Sequence, residues 1–259
     1  MKWKHLLGPS LFLLLLISLN ILIFYIPPFY QIFYEQDPTL LYPYQEETVN
    51  LFFLYLFSFG ICGLYTGMFL VFPNRFQFNK RTLFYLIFLT YLLTFLSARL
   101  INQTLKKSVG SLRPNFYALC DYKGFRSNST LYFSDSKWEN LGNTSFCLDT
   151  THLDNAFMSW PSGHAMYVFT SVTTNVLLLW SISKISFPFW PLFHLLTLVF
   201  FSLATWISVT RVQDYWHRTF DVMSGIILGI LNSFIWWIYM FPHLQLFSPD
   251  EHDYYVNLS

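Results

Sequence analysis

Residues 82–105 read TLFYLIFLTYLLTFLSARLINQTL, an apolar run broken by one charge, Arg99, and by no proline or glycine. About 20 such residues cross a bilayer as a helix. Comparable runs occupy Leu6–Ile26, Leu51–Phe72, Ser162–Ile182, Pro191–Val209 and Phe220–Phe241. With 54% hydrophobic, 22% aromatic and only 11% charged residues, the composition excludes an ordinary soluble domain. No repeat is visible and no Pro- or Gly/Ser-rich linker divides the chain. The expectation is one all-α integral membrane domain over residues 1–259, a bundle of six transmembrane helices.

Local charge orients the bundle. Lys2, Lys4 and His5 precede the first run, and Arg75, Lys80 and Arg81 join the second to the third. The loop between the first two carries Glu35, Asp37, Glu46 and Glu47 instead. The positive-inside rule puts the N-terminus and the 73–81 loop in the cytosol. Six spans return the C-terminus there and leave residues 106–160 in the lumen or outside the cell. The first run lacks a cleavage site and reads as a retained signal anchor. The net charge of +1 says nothing of partners.

Cys120 and Cys147 share the long 106–160 loop, whereas Cys62 sits alone in the second run. In an oxidising compartment the pair forms a disulfide, worth about 3 kcal/mol by loop closure; two free thiols are the alternative. Asn128-Ser-Thr and Asn143-Thr-Ser are glycosylation acceptors if the loop is translocated. Asn102-Gln-Thr fits the same pattern but lies against the membrane.

The polar chemistry gathers in three segments: Lys106 through Arg113-Pro114, Trp160-Pro161-Ser162-Gly163-His164, and Arg211 through His217 to Asp221. By span parity all three lie on the outer side. Pro161 suits the first position of a helix, which would leave the N–H groups of Ser162, Gly163 and His164 aimed at an anion. The plain alternative is a capped helix start with a surface histidine. His217 and Asp221, four apart, share a helix face. The carboxylate can fix the imidazole tautomer and leave the other nitrogen a nucleophile. A structural His–Asp pair, or a metal site completed by His164, would use the same residues. The neighbouring cations already supply positive charge, so no metal and no cofactor are expected. Lys106 and Arg113 suit a phosphate, or they snorkel at a span end. Arg99, deeper in the third run, reads as snorkelling or structural.

The pattern Lys106-x6-Arg113-Pro114, Pro161-Ser162-Gly163-His164, Arg211-x5-His217-x3-Asp221 resembles the three-part signature of the type 2 phosphatidate phosphatase superfamily. The stretches Ser108-Val-Gly-Ser-Leu-Arg113-Pro114-Asn-Phe and Asp37-Pro-Thr-Leu-Leu-Tyr42-Pro43-Tyr44-Gln-Glu-Glu are similar to its animal-type lipid phosphate phosphatase branch. The resemblance implies metal-independent hydrolysis of lipid phosphate monoesters in the phosphatidate, lysophosphatidate, sphingosine-1-phosphate and ceramide-1-phosphate class. It implies His217 as nucleophile, Asp221 as its orienting partner and His164 as general acid. Lys106, Arg113, Pro114, Ser162, Gly163 and Arg211 match the phosphate-binding positions. Thr210 departs from the serine usual there but keeps a hydroxyl.

The expected protein is thus an ectoenzyme of the plasma membrane, endoplasmic reticulum or Golgi, with both termini cytosolic. Its partners are a lipid phosphate and the bilayer, not nucleic acid, and a homo-oligomer is compatible with the sequence. A lipid phosphotransferase or sphingolipid synthase would use the same His/Asp arrangement, with an alcohol in place of water. A non-catalytic membrane protein would retain the fold alone.

Overall fold

Without water, a backbone can satisfy its N–H and C=O groups only within itself, and these apolar runs do so as helices. The computed structural model describes residues 7–35, 37–71, 80–127, 140–182 and 190–246. They form α1 (Leu7–Tyr25), α2 (Leu51–Val71), α3 (Lys80–Val109), α4 (Phe116–Cys120), α5 (Leu153–Ala156), α6 (Gly163–Ile182), α7 (Trp190–Gln213) and α8 (Thr219–Leu246). Among the described residues there is no strand, only isolated bridges pairing Tyr34 with Leu141 and Tyr122 with Cys147. Asn128 and the basic residues Lys2, Lys4, His5 and Arg75 lie outside the described residues.

Among the described residues, five helices are long and apolar enough to cross a membrane: α1, α2, α3, α7 and α8. α6 has the length but is more polar, and the packing explains why. It is the axis of the bundle, touching α2, α3, α7 and α8. Its Thr170, Ser171, Thr173, Thr174 and Asn175 are buried against protein, not lipid. Ser171 donates to the Tyr167 carbonyl (2.9 Å), Asn175 to that of Ser171 (2.7 Å), and the Thr174 hydroxyl meets Ser233 Oγ at 3.0 Å. α1 shows the reverse pattern. It packs on α3 and turns Leu7, Leu11, Leu14, Ile21 and Phe24 outward.

Two helices outrun their apolar segments. The sequence closes the third run at Leu105, but α3 continues to Val109, placing Lys106 on its last turn rather than beyond it. The fifth closes at Val209, but α7 reaches Gln213 and carries Arg211. Hydropathy marks where lipid contact ends, and a helix continues while its polar residues find partners. Lys107 is an example: its Nζ donates to the carbonyls of Ile23 (2.8 Å) and Phe24 (3.0 Å), capping the end of α1. Arg99 is tied in the same way, Nη1 donating to Asn20 Oδ1 at 2.9 Å. The Asn20 amide is itself fixed by the carbonyls of Leu16 and Leu96.

α6 and α8 approach closely because α8 presents glycine to it. A Cβ at Gly225 would lie 2.5 Å from the Ser162 carbonyl oxygen, and one at Gly229 2.5 Å from that of Met166. After α3 the chain turns at Gly110, whose φ of +63° suits glycine and whose Cβ would collide with the Phe29 carbonyl.

A second apolar core caps this end of the bundle, built from Phe33, Leu40, Phe116, Tyr117, Tyr122, Phe157 and Trp216. The Cys120–Cys147 disulfide closes it, and Cys62 is a buried free thiol in α2. Asn143 is exposed, its Oδ1 accepting from the Ser145 amide.

Candidate active site

Four helix ends meet beneath the cap: the last turns of α3 and α7 and the first turns of α6 and α8. The α3 and α6 ends, with the loops carrying Arg113 and His217, enclose a cavity of about 180 Å³ lined by Lys106, Arg113, Gly163, His164 and His217; Arg211 and Asp221 are not among its lining residues. Glu47, Asn102, Gln103, Asn155, Met158 and Tyr167 complete most of its wall. Residues up to 170 positions apart in the chain thus face one space.

Each cation is held by part of its donor set. Lys106 Nζ donates to the carbonyls of Met158 (2.5 Å) and Ser159 (3.2 Å), which leaves one of its three N–H donors. Arg113 uses Nε on the Asn155 carbonyl (2.7 Å), Nη2 on Asn155 Oδ1 (2.7 Å) and Nη1 on the Trp216 carbonyl (3.0 Å). It also lies 4.9 Å from the Trp216 ring. Burial lowers the Arg113 pKa to about 10, so it stays charged at neutral pH.

Arg211 is fully buried. Its Nη2 donates to Asp214 Oδ2 (2.8 Å) and Thr210 Oγ1 (3.2 Å). The Thr210 hydroxyl itself donates to the Ile207 carbonyl (2.7 Å), so threonine supplies the acceptor a serine would. Among the described residues Arg211 Nη1 has no hydrogen-bond partner, and it stands 3.6 Å from Glu47 Oε1.

The α6 start differs from the sequence reading. Helical turns begin at Gly163, so Ser162 is the residue flanking them, and Pro161 precedes it in a cis peptide instead of opening the helix. The Ser162 amide is not free for an anion: it donates to the Asp221 carbonyl at 2.9 Å. The helix geometry leaves the amides of Gly163 and His164 without intrahelical acceptors. Ser162 Oγ is buried without a hydrogen-bond partner among the described residues. A Cβ at Gly163 would meet Asn102 Oδ1 at 3.1 Å, and the Asn102 amide holds the Pro161 carbonyl at 3.2 Å.

The second histidine comes from a tight turn. Asp214 and Tyr215 end α7, Tyr215 with φ +59°, and the amides of Trp216 and His217 both donate to the Arg211 carbonyl at 3.1 Å. His217 therefore precedes α8 rather than lying on it. Its Nδ1 faces Asp221 Oδ2 at 3.7 Å, longer than a hydrogen bond. That oxygen accepts instead from Ser159 Oγ (2.6 Å) and the Arg218 amide (2.9 Å). Burial, then the charges of Lys106 and Arg113, push the His217 pKa well below the usual histidine range, against a smaller opposing pull from Asp221. The ring is neutral at pH 7, the state a nucleophile requires. His164 Nε2 lies 2.9 Å from the Val49 carbonyl. A carbonyl only accepts, so Nε2 carries the hydrogen and Nδ1 is the titrating atom.

Pro114 lies elsewhere, in a separate cavity of about 370 Å³ with Thr39, Tyr42, Val212, Tyr215 and Arg218, which borders His217 from another side. Its carbonyl accepts from the Tyr42 amide at 3.2 Å. Sequence reasoning missed Asn102, Asn155, Ser159, Asp214 and Glu47. For Asp214 a signal existed, an acid one turn after a buried arginine. Asn155 and Ser159 act through contacts between segments that no local spacing announces.

The sequence profile of the PAP2 superfamily matches residues 87–245, a stretch that contains all three polar segments. Diacylglycerol pyrophosphate phosphatase 1 of Saccharomyces cerevisiae is 27% identical over 94% of this chain and 82% of its own length. Phospholipid phosphatase 2 of Homo sapiens is 30% identical, over 79% and 71% respectively. Lipid phosphate phosphatase 1 of Arabidopsis thaliana is 28% identical, over 93% and 69%. No solved structure matches the chain.

Proposed function

The chain belongs to the PAP2 superfamily, and from that premise we propose a lipid phosphate phosphatase that works through a phosphohistidine without metal. The observation that carries the reading is the convergence of Lys106, Arg113, His164 and His217 on one cavity. Phosphoryl transfer asks for fixed cations around the equatorial oxygens and an in-line nucleophile, and this wall offers both.

In the proposed cycle Nε2 of His217 attacks phosphorus while Nδ1 stays turned toward Asp221. The P–N bond forms as the bond to the lipid oxygen breaks. Arg113, Lys106, Arg211 and the Gly163 and His164 amides hold the three phosphoryl oxygens. His164, with Nε2–H anchored on the Val49 carbonyl, takes a proton at Nδ1 from the lipid phosphate monoanion as it binds and delivers that proton to the departing alkoxide. It then takes a proton from the water that cleaves the P–N bond, releasing inorganic phosphate. Asp221 acts through position: its bonds to Ser159 and the Arg218 amide fix the carboxylate against which His217 turns. Pro114 and Ser162 belong to the frame, Pro114 shaping the turn after Arg113 and Ser162 offering its unpartnered hydroxyl.

The bundle is read as six spans, α6 being the polar central one, with the site on the extracytoplasmic side and both termini cytosolic. Lipid tails reach the cavity from the bilayer. The substrates proposed are phosphatidate, lysophosphatidate, sphingosine-1-phosphate and ceramide-1-phosphate.

Purified protein assayed against those four lipids tests the reading. Release of inorganic phosphate and the matching alcohol should proceed in excess chelator at the untreated rate. A large loss restored by magnesium or zinc contradicts the metal-independent mechanism. Transfer to an added alcohol in place of hydrolysis marks a phosphotransferase.

A further inference from the structure

Glu47 is out of place in a site meant for a dianion. Its carboxylate lines the cavity with Lys106, Arg113, His164 and His217 and stands 3.6 Å from Arg211 Nη1. A permanent acid there repels a phosphate. Two details decide what it does.

The first is how loosely it is held. Arg211 already has a close acidic partner in Asp214, whose Oδ2 lies 2.8 Å away and also accepts from the Thr48 amide at 2.8 Å. Asp214 Oδ1 takes the Thr48 hydroxyl at 2.7 Å. That carboxylate is fixed on every side. The Glu47 side chain, by contrast, is 28% exposed and holds one long ion pair among the described residues, while its charge also acts on Lys106 and Arg113.

The second is that its backbone is pinned on both sides. The Gln45 carbonyl accepts from Trp216 Nε1 at 2.9 Å, and Thr48 is clamped by Asp214. Val49, one residue on, holds His164. The side chain can therefore swing without moving the segment that positions the general acid. The Arg211 Nη1 donors, otherwise unbonded, face the one carboxylate able to leave.

We infer that Glu47 is the resident anion of the phosphate site: it offsets the excess positive charge of Lys106, Arg113 and Arg211 between turnovers, yields to the substrate phosphate, and returns as inorganic phosphate departs. The inference rests on the phosphatase reading above. Three buried cations, Lys106, Arg113 and Arg211, share the region with two buried carboxylates, Asp214 and Asp221. A buried cation without a counter-charge is costly, so a removable third carboxylate keeps the site charged yet stable. The same carboxylate weakens product binding, because like charges in a partly desolvated cavity oppose each other.

The test is inhibition of lipid phosphate hydrolysis by inorganic phosphate and by orthovanadate, in wild type, Glu47→Gln and Glu47→Asp. Glu47→Gln, which keeps the shape and removes the charge, should bind both anions more tightly, on the order of ten- to a hundredfold, with KM for the lipid falling in parallel. Glu47→Asp keeps the charge but draws it back from Arg211 and should fall between. A merely structural glutamate predicts lower kcat and melting temperature with unchanged or weaker inhibition, and that result overturns the inference. So does a Glu47→Asp variant that binds vanadate no more tightly than wild type. Wild type that neither hydrolyses the lipids nor binds vanadate overturns the phosphatase reading itself.

Discussion

Replacing His164 with alanine should cost about 10²–10⁴-fold in the hydrolysis of a lipid phosphate, the usual worth of a positioned general acid. It should cost far less in the single-turnover phosphorylation of the enzyme by nitrophenyl phosphate. A lipid alkoxide is strongly basic and cannot leave without a proton, whereas nitrophenolate can. Replacing His217 with alanine should abolish both reactions. The distinction follows from the different settings of the two rings. His217 is buried, neutral and turned toward a carboxylate at 3.7 Å. His164 has one nitrogen tied to a backbone carbonyl and the other free to exchange a proton. Equal losses for His164→Ala on both substrates would remove it from the proton-donor role.

The second large effect is expected at Gly225, two turns into α8. A Cβ there would sit 2.5 Å from the Ser162 carbonyl and 3.2 Å from the Met166 amide. Backbone atoms cannot rotate away as a side-chain tip can. Gly225→Ala should force α6 and α8 apart at the point where Ser162 and Asp221 share a backbone hydrogen bond. Overpacking of this kind costs typically 1–3 kcal/mol, and here the displacement falls on the first turn of α6, where the Gly163 and His164 amides lie. Both melting temperature and kcat should drop. Gly60→Ala in α2, where a Cβ meets nothing within 4 Å, should leave both near wild type. Parity between the two variants would mean the helices have slack the packing does not suggest.

Much of the bundle could be read from apolar runs, because lipid contact is what those runs record. α1 was clear for that reason, since most of its surface is exposed and apolar. α6 was read as a span, yet its composition alone does not reach that standard, because a central helix spends its surface on protein contacts. The ends of α3 and α7 were placed too early for the same reason in reverse. Lys106 and Arg211 are helical because protein carbonyls and carboxylates receive them, which hydropathy does not see. In the site, the chemical groups were legible and their coordination was not. Lys106, Arg113, His164 and His217 were marked by residue type and spacing. That Ser159 and the Arg218 amide occupy the Asp221 oxygen, or that Val49 holds His164, depends on segments that meet only in three dimensions. In the sequence Glu47 reads as a topology signal, one of four loop acids. Its place beside Arg211 comes from the folded path of residues 45–49, tethered through Trp216 and Asp214.

The central claim is that His217 becomes covalently phosphorylated. Rapid quenching of purified enzyme with lipid labelled in its phosphate, followed by digestion and mapping of the labelled peptide, tests it most directly. The account predicts an acid-labile, base-stable label on His217, retained by His164→Ala and absent from His217→Ala. A label on His164, or lipid hydrolysis by His217→Ala at the wild-type rate, would contradict it.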